Sequence, residues 1–161
     1  MSDGSHTTPP VAPHATTLRA QGLANRVTRT LLATPLLSKA VGRRLVTLYL
    51  VGRTSGRRLT VPVAYTRHEG ALLVGTPFAW GRNLRSGTPI EVRYLGRRRP
   101  ADVEAFMSEA DVVRLYGVMA KDNRQFAGFN KIGITPAGEP NTEDLHLAWA
   151  AGARAFSLTV R

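Results

Sequence analysis

The chain has 161 residues, 43% of them hydrophobic and 20% charged, a composition that excludes wholesale disorder and suffices for the core of one domain. Cysteine is absent, which excludes disulfides, thiolate nucleophiles and cysteine-ligated metal centres. Charge is uneven: residues 19–99 hold 16 basic and 2 acidic side chains, whereas residues 100–161 hold 6 basic and 8 acidic ones. The first of these segments is therefore expected to face an anion.

A tail and two helices are predicted first. Residues 1–17 are polar and rich in proline, which is typical of a disordered tail, and they lack the basic and apolar segments of a secretory signal. One helix is predicted from Leu18 to Ala33. A second runs from Pro35 to about Arg44, because Thr34 is a suitable N-cap and proline is favoured at the first helical position. We expect a cytoplasmic protein with one domain over residues 18–161.

Six short strands are predicted next, which indicates a mainly β protein with flanking helices, a small antiparallel barrel whose closure removes exposed sheet edges. Pro62 cannot donate a ladder hydrogen bond, so its strand is expected at an edge or a bulge. Helices beginning after Ser108 and Asn141 are predicted on either side of irregular residues 123–140, and one helical turn is expected within residues 77–88. The predicted strands are Leu45–Val51, Arg58–Thr66, Ala71–Thr76, residues 90–94, Ala101–Phe106 and residues 156–160.

Residues 52–58, which span the turn between the first two strands and the start of the second, have the composition of an anion site. Gly52 and Gly56 permit positive φ angles, with which backbone N–H groups converge on one point. Thr54 and Ser55 add hydroxyl donors, and three arginines add planar groups that bind phosphate or carboxylate through paired hydrogen bonds. A solvated basic hairpin tip explains the spacing equally well. The segment is not a nucleotide P-loop, since it joins two strands.

Three motifs occur in a specific order and spacing. They are a basic hairpin with a downstream proline (Leu50–Pro62), a strand ending in small residues (Gly70–Thr76), and Trp80-Gly-Arg-Asn-Leu84. In this respect residues 45–106 resemble the deazaflavin-dependent nitroreductase family, whose members use coenzyme F420. The resemblance implies a split β-barrel and an oxidoreductase that passes a hydride from the reduced deazaflavin to a small acceptor such as a quinone, an enone or a nitroaromatic.

The resemblance also implies which residues bind the cofactor. The coenzyme tail carries a phosphodiester and several carboxylates, which agrees with the basic charge of residues 19–99. The loop from Thr76 to Trp80 is shorter than the family pattern, and Ala79 stands where the family has proline, which affects the expected ring contacts. The implied residues are Arg53, Thr54, Ser55, Arg57 and Arg58 at the tail, Val61 and Pro62 along the groove, and Gly75, Thr76, Trp80, Asn83 and Leu84 around the ring.

Candidates for catalysis are few. Tyr116 is a candidate proton donor, although a tyrosine on an apolar helix face is more commonly a packing residue. By the resemblance, Phe126 and Phe129 lie where the C-terminal part of the family approaches the substrate pocket. No His, Asp or Glu residues have the spacing of metal ligands. A hydride donor held against its acceptor needs no acid–base pair beyond a source of one proton.

Other functions are compatible with the same features. Flavin mononucleotide is the alternative cofactor for the groove. The barrel is, in another reading, a non-catalytic anion-binding scaffold. Specific nucleic-acid binding is disfavoured, because residues 19–99 interleave few aromatic rings with their basic groups. The N-terminal helices combine arginine with leucine, so peripheral contact with an anionic membrane is a further hypothesis. The sequence leaves open whether the protein is a monomer or a homodimer.

Overall fold

The computed structural model describes residues 44–161, which form one antiparallel sheet of seven strands with helices packed on it. The tail and the two helices expected before residue 44 lie outside the described residues. A 3-10 helix at Ala79–Asn83 supplies the helical turn expected after the fourth strand. The strands are β1 (Leu45–Val51), β2 (Arg58–Ala64), β3 (Thr66–His68), β4 (Ala71–Thr76), β5 (Ile90–Tyr94), β6 (Arg97–Phe106) and β7 (Arg154–Val160). The α-helices are α1 (Glu109–Asp122), α2 (Arg124–Phe129) and α3 (Thr142–Ala150).

The two outermost strands of the sheet are consecutive in the chain. Its two edges must therefore lie close together, so the sheet is curled. The strand order is β2-β1-β5-β6-β7-β4-β3, and Tyr65 alone separates β2 from β3. The expected mainly β architecture with flanking helices is confirmed, whereas the count of six strands is wrong. The predicted strand 58–66 changes partner at Tyr65, so that β2 pairs with β1 and β3 pairs with β4.

Pro62 lies on an outermost strand, as expected. Among the described strands, β2 pairs only with β1, and Pro62 stands opposite Thr47 in that pair. The missing N–H of proline is tolerated at such an edge. By contrast, β6 begins at Arg97, four positions earlier than predicted, because the turn before it consists only of Leu95 and Gly96, both with positive φ.

The strand register gives the curled sheet two ends. One end, called here the hairpin end, carries residues 52–58, the 3-10 helix and the last residue of β4. The opposite end carries the turn between β3 and β4 and the turn between β5 and β6. Loops at the ends of a rigid sheet are common positions for binding sites.

Two hydrophobic cores hold these elements together. The first lies inside the curled sheet, where alternate residues of each strand point inward; fully buried examples are Leu48, Val92 and Leu158. The second lies between the sheet and the helices, where Leu115 of α1 packs with Leu73 of β4 and other apolar residues. The β4 strand is thus buried on both faces, which explains its run of apolar residues.

The helix starts follow the predicted caps. The Ser108 hydroxyl accepts a hydrogen bond from the backbone N–H of Asp111 at 3.2 Å, and α1 begins there. The expectation that residues 123–140 are irregular is wrong in part. The side chain of Asn123 accepts hydrogen bonds from two backbone N–H groups and thereby caps α2 within that segment.

We expect Asn141→Ala to lower the free energy of unfolding by about 1 kcal/mol. The Asn141 side chain accepts a hydrogen bond from the backbone N–H of Asp144 at 3.1 Å and so caps α3. Urea unfolding followed by circular dichroism measures the loss. The matched control is the adjacent exposed residue, since Thr142→Ala should change the same quantity by no more than about 0.5 kcal/mol. Equal effects of both substitutions would contradict the capping role.

Within residues 44–161, none of the helices has both the length and the apolar character needed to cross a bilayer.

Candidate functional site

The loop that joins β1 to β2, together with the first residue of β2, is called here the basic hairpin (residues 52–58). Two hydrogen bonds close it: the Gly52 N–H donates to the Arg57 carbonyl at 2.7 Å, and the Gly56 N–H donates to the Gly52 carbonyl at 2.8 Å. Gly56 has a φ of 63°, a conformation that favours glycine. These two N–H groups are used inside the loop, so they are not free to join the expected nest of backbone donors. Anion binding at this hairpin would depend mainly on its side chains.

The side chains of the basic hairpin are directed to solvent and are rich in donors. Arg53, Arg57 and Arg58 are all exposed, as are Thr54 and Ser55. In the described part of the chain, none of the three arginines forms an ion pair with a carboxylate. Three guanidinium groups on a seven-residue loop repel one another, and a bound polyanion would relieve that repulsion.

A single side chain joins the basic hairpin to the 3-10 helix. The Asn83 carbonyl oxygen accepts a hydrogen bond from the Arg53 N–H at 2.9 Å, and its amide nitrogen donates to the Trp80 carbonyl at 3.0 Å. The structure therefore brings together two of the motifs that the sequence singled out. Asn83 acts here as a connector, with one donor and one acceptor already used. Trp80 is half-buried and packs on the first core, and Leu84 is buried in it.

The remaining residues assigned to the groove and the ring point in different directions. Val61 faces the first core, whereas Pro62 is exposed on the other face of β2. Thr76 is buried, and its hydroxyl accepts a hydrogen bond from the Phe78 N–H at 3.0 Å. Of these three side chains, Pro62 alone is well exposed.

Gly75 lies beneath two aromatic rings of the second core. A Cβ atom at this position would be 2.9 Å from ring atoms of both Tyr116 and Phe126. Those rings pack on each other with their centroids 5.0 Å apart. The absence of a side chain at Gly75 is therefore what lets α1 and α2 place these rings on β4. This side of Gly75 is occupied by protein.

We expect Gly75→Ala to lower the free energy of unfolding by about 1–3 kcal/mol, because the added methyl overpacks two ring edges that are held by their own neighbours. Gly128→Ala is the matched control. Gly128 lies in α2, and a Cβ there would have no heavy atom within 4 Å. The control should raise the stability by about 0.5–1 kcal/mol through helix propensity. Chemical denaturation of both variants tests the contrast, and a neutral Gly75→Ala would contradict the close contact.

Tyr116 is enclosed in the second core. The side chain is 0% exposed, and its hydroxyl donates to the Arg154 carbonyl at 3.3 Å. Burial raises the pKa of Tyr116 above its ordinary value, an effect that the nearby Arg154 only partly offsets. The geometry favours a packing role for Tyr116 over proton donation.

One aromatic contact near the site has no signal in the sequence. Phe78, which precedes the 3-10 helix, lies with its ring centroid 6.0 Å from that of Phe129 in α2. Phe129 is 57% exposed, an unusual state for a phenylalanine. Phe126 packs inward on Tyr116 instead, so the two candidate pocket residues separate: Phe129 borders solvent and Phe126 supports the core. Only tertiary structure brings Phe78 and Phe129 together.

The described residues contain no cluster of three or more His, Asp or Glu side chains that could hold a metal ion. Comparison of the chain with protein-family models gives no match, and a search of curated proteins also finds no significant match. A functional assignment must therefore come from the chemistry of the residues themselves. The groups that the structure brings together at the hairpin end are exposed arginines, hydroxyls and a half-buried tryptophan.

Proposed function

We propose that the chain is a split-barrel reductase of the deazaflavin-dependent type and that its basic hairpin binds the anionic tail of coenzyme F420. The observation that carries the proposal is the fixed position of this hairpin. Its three exposed arginines lack carboxylate partners among the described residues, and the Arg53–Asn83 hydrogen bond anchors the loop to the 3-10 helix that bears Trp80. The charged side chains of the basic hairpin therefore lie beside a flat apolar side chain, that of Trp80.

The hairpin fits an extended polyanion better than a single phosphate. Guanidinium groups bind phosphate and carboxylate with paired hydrogen bonds, and three of them in six residues can serve several anionic groups in series. The tail of coenzyme F420 presents a phosphodiester followed by carboxylates. In the proposal, Arg53, Arg57 and Arg58 hold these groups, and the hydroxyls of Thr54 and Ser55 assist.

Fewer of the residues that the resemblance implies around the deazaflavin ring are accessible for contact with it. Trp80 offers a partly exposed aromatic surface, whereas Thr76 and Leu84 are buried and Gly75 is covered by the Tyr116 and Phe126 rings. The proposal therefore assigns ring contact to Trp80 and to the backbone around the 3-10 helix. It does not assign it to the side chains of β4. Phe129, exposed and packed on Phe78, offers an apolar surface for the acceptor.

The proposed reaction requires few catalytic groups from the polypeptide. When bound, the reduced coenzyme supplies a hydride to an electrophilic acceptor. The residues of the chain bind the tail, orient the ring and limit the access of water. Because the Tyr116 hydroxyl is buried and bonded to a backbone carbonyl, we assign the accompanying proton to water.

The test is a reductase assay with the full chain. Reduced coenzyme F420 is mixed with menadione, with an enone and with a nitroaromatic, and the return of the oxidised deazaflavin absorbance is followed. We expect a protein-dependent rate with at least one acceptor. No rate above the protein-free mixture with any of the three would contradict the reductase assignment. A rate with reduced flavin mononucleotide alone would reassign the cofactor.

A further inference from the structure

A pocket lies at the opposite end of the curled sheet from the basic hairpin. Its volume is about 400 Å³, within the range of small-molecule sites. It opens between the turn that joins β3 to β4 and the hairpin that joins β5 to β6. The register places these turns at the end of β5 and β7, away from residues 52–58. The pocket is thus separate from the site proposed above.

The floor of this pocket is apolar. Leu72 and Leu158 line it and are buried members of the first core, and the half-buried Val160 lies beside them. At the hairpin end the 3-10 helix packs on the same core, whereas at this end no helix of residues 44–161 belongs to that core. Leu158 itself exposes no surface, so the half-buried Val160 and the edge of Leu72 supply the apolar surface that a ligand could remove from water.

The wall of the pocket is cationic. Arg67 of β3 and Arg99 of β6 both line it, and neither forms an ion pair with a carboxylate among residues 44–161. Arg67 donates to the Tyr94 hydroxyl oxygen at 2.8 Å, which leaves the hydroxyl proton of Tyr94 available to an anion. Glu69, the carboxylate of the lining, is 83% exposed and lies nearest to His68.

We propose that this pocket binds a small amphiphilic monoanion, with a carboxylate held by Arg67, Arg99 and the Tyr94 hydroxyl and an apolar body resting on Val160 and the edge of Leu72, above the buried Leu158. The chemistry follows from the two surfaces together. Guanidinium groups recognise carboxylates with paired hydrogen bonds. The apolar floor contributes in proportion to the surface that the ligand removes from water. A ligand with only the charge would contact only the cationic wall. A ligand with only the apolar body would contact only the apolar floor.

The test is isothermal titration calorimetry of the full chain with octanoate, in the absence of any coenzyme. Octanol supplies the same apolar body without the charge, and acetate supplies the charge without the body. We expect saturable octanoate binding, with the other two probes at least about tenfold weaker because each loses one component. Failure of octanoate to bind, or octanol binding as tightly as octanoate, would overturn the proposal.

Matched variants locate the site. Arg99→Gln and Arg67→Gln should each weaken octanoate binding about tenfold or more, the effect of removing one charged hydrogen bond. Arg93→Gln removes the same charge from the same β5–β6 hairpin, but its side chain lies outside the pocket, where it donates to Tyr49. This control should leave the affinity within about threefold of wild type. Thermal melts verify the fold, and Arg99→Gln decides the outcome if Arg67→Gln is unstable. Equal binding by Arg99→Gln and wild type would overturn the proposal.

Discussion

Replacing Tyr116 with alanine is expected to lower the free energy of unfolding by about 3–5 kcal/mol, the usual cost of removing a large buried aromatic side chain. The side chain is 0% exposed and packs on Phe126, with both rings resting on Gly75. The cavity cannot close easily, because β4 and α1 are each fixed by the rest of the second core. Urea or guanidinium unfolding measures the loss.

Tyr116→Phe is the variant that separates packing from chemistry. It keeps the ring and removes only the hydroxyl, whose hydrogen bond to the Arg154 carbonyl is long, at 3.3 Å. We expect a cost of about 1 kcal/mol or less and an unchanged rate of hydride transfer. A variant of normal stability that loses most of that rate would contradict the packing role and make Tyr116 the proton donor.

Arg57→Ala should weaken the binding of coenzyme F420 by about 10- to 100-fold, which corresponds to about 1.5–3 kcal/mol for a charged hydrogen bond. Arg57 is an exposed residue of the basic hairpin, and its side chain supports no core, so the fold should be unaffected. The loop itself is closed by backbone hydrogen bonds that alanine retains. Fluorescence titration of the coenzyme gives the dissociation constant.

The control for this prediction is Arg114→Ala. Arg114 is an exposed arginine of α1 that pairs with Asp111 on its own helix. Its replacement removes the same formal charge from the protein but no group of the basic hairpin. Arg114→Ala should bind the coenzyme within about threefold of wild type. If both variants lost affinity equally, general charge would explain the binding and the hairpin would not be its site.

Much of the fold could be predicted because it follows from local pattern. Alternating apolar residues marked the strands, and Ser108 and Asn141 marked the starts of α1 and α3. The division at Tyr65 could not be predicted. Inward-facing residues continue through this position, so the hydrophobic pattern gives no sign that the pairing partner changes from β1 to β4. The signal for α2 was present in Asn123, but the segment is only six residues long.

The candidate site could be predicted in composition and only partly in arrangement. The basic hairpin and Trp80 are evident from the sequence. The bond between Arg53 and Asn83 joins residues 30 positions apart and depends on the sheet register. The same limit applies to Gly75. The family resemblance implied that Gly75 borders the deazaflavin ring, whereas tertiary packing places Tyr116 and Phe126 there. Contacts between segments that are distant in the chain decide which small residues remain accessible to a ligand.

The most direct test of the account is a fluorescence titration of oxidised coenzyme F420 into the full chain at low and at high ionic strength, with flavin mononucleotide titrated in parallel. We expect saturable binding of the deazaflavin that weakens as salt rises, because exposed guanidinium groups make the contacts. The salt dependence should be shallower for Arg57→Ala, which has one ionic contact fewer. No saturable binding of coenzyme F420, or binding that is indifferent to salt and to Arg57, would contradict the role of the basic hairpin.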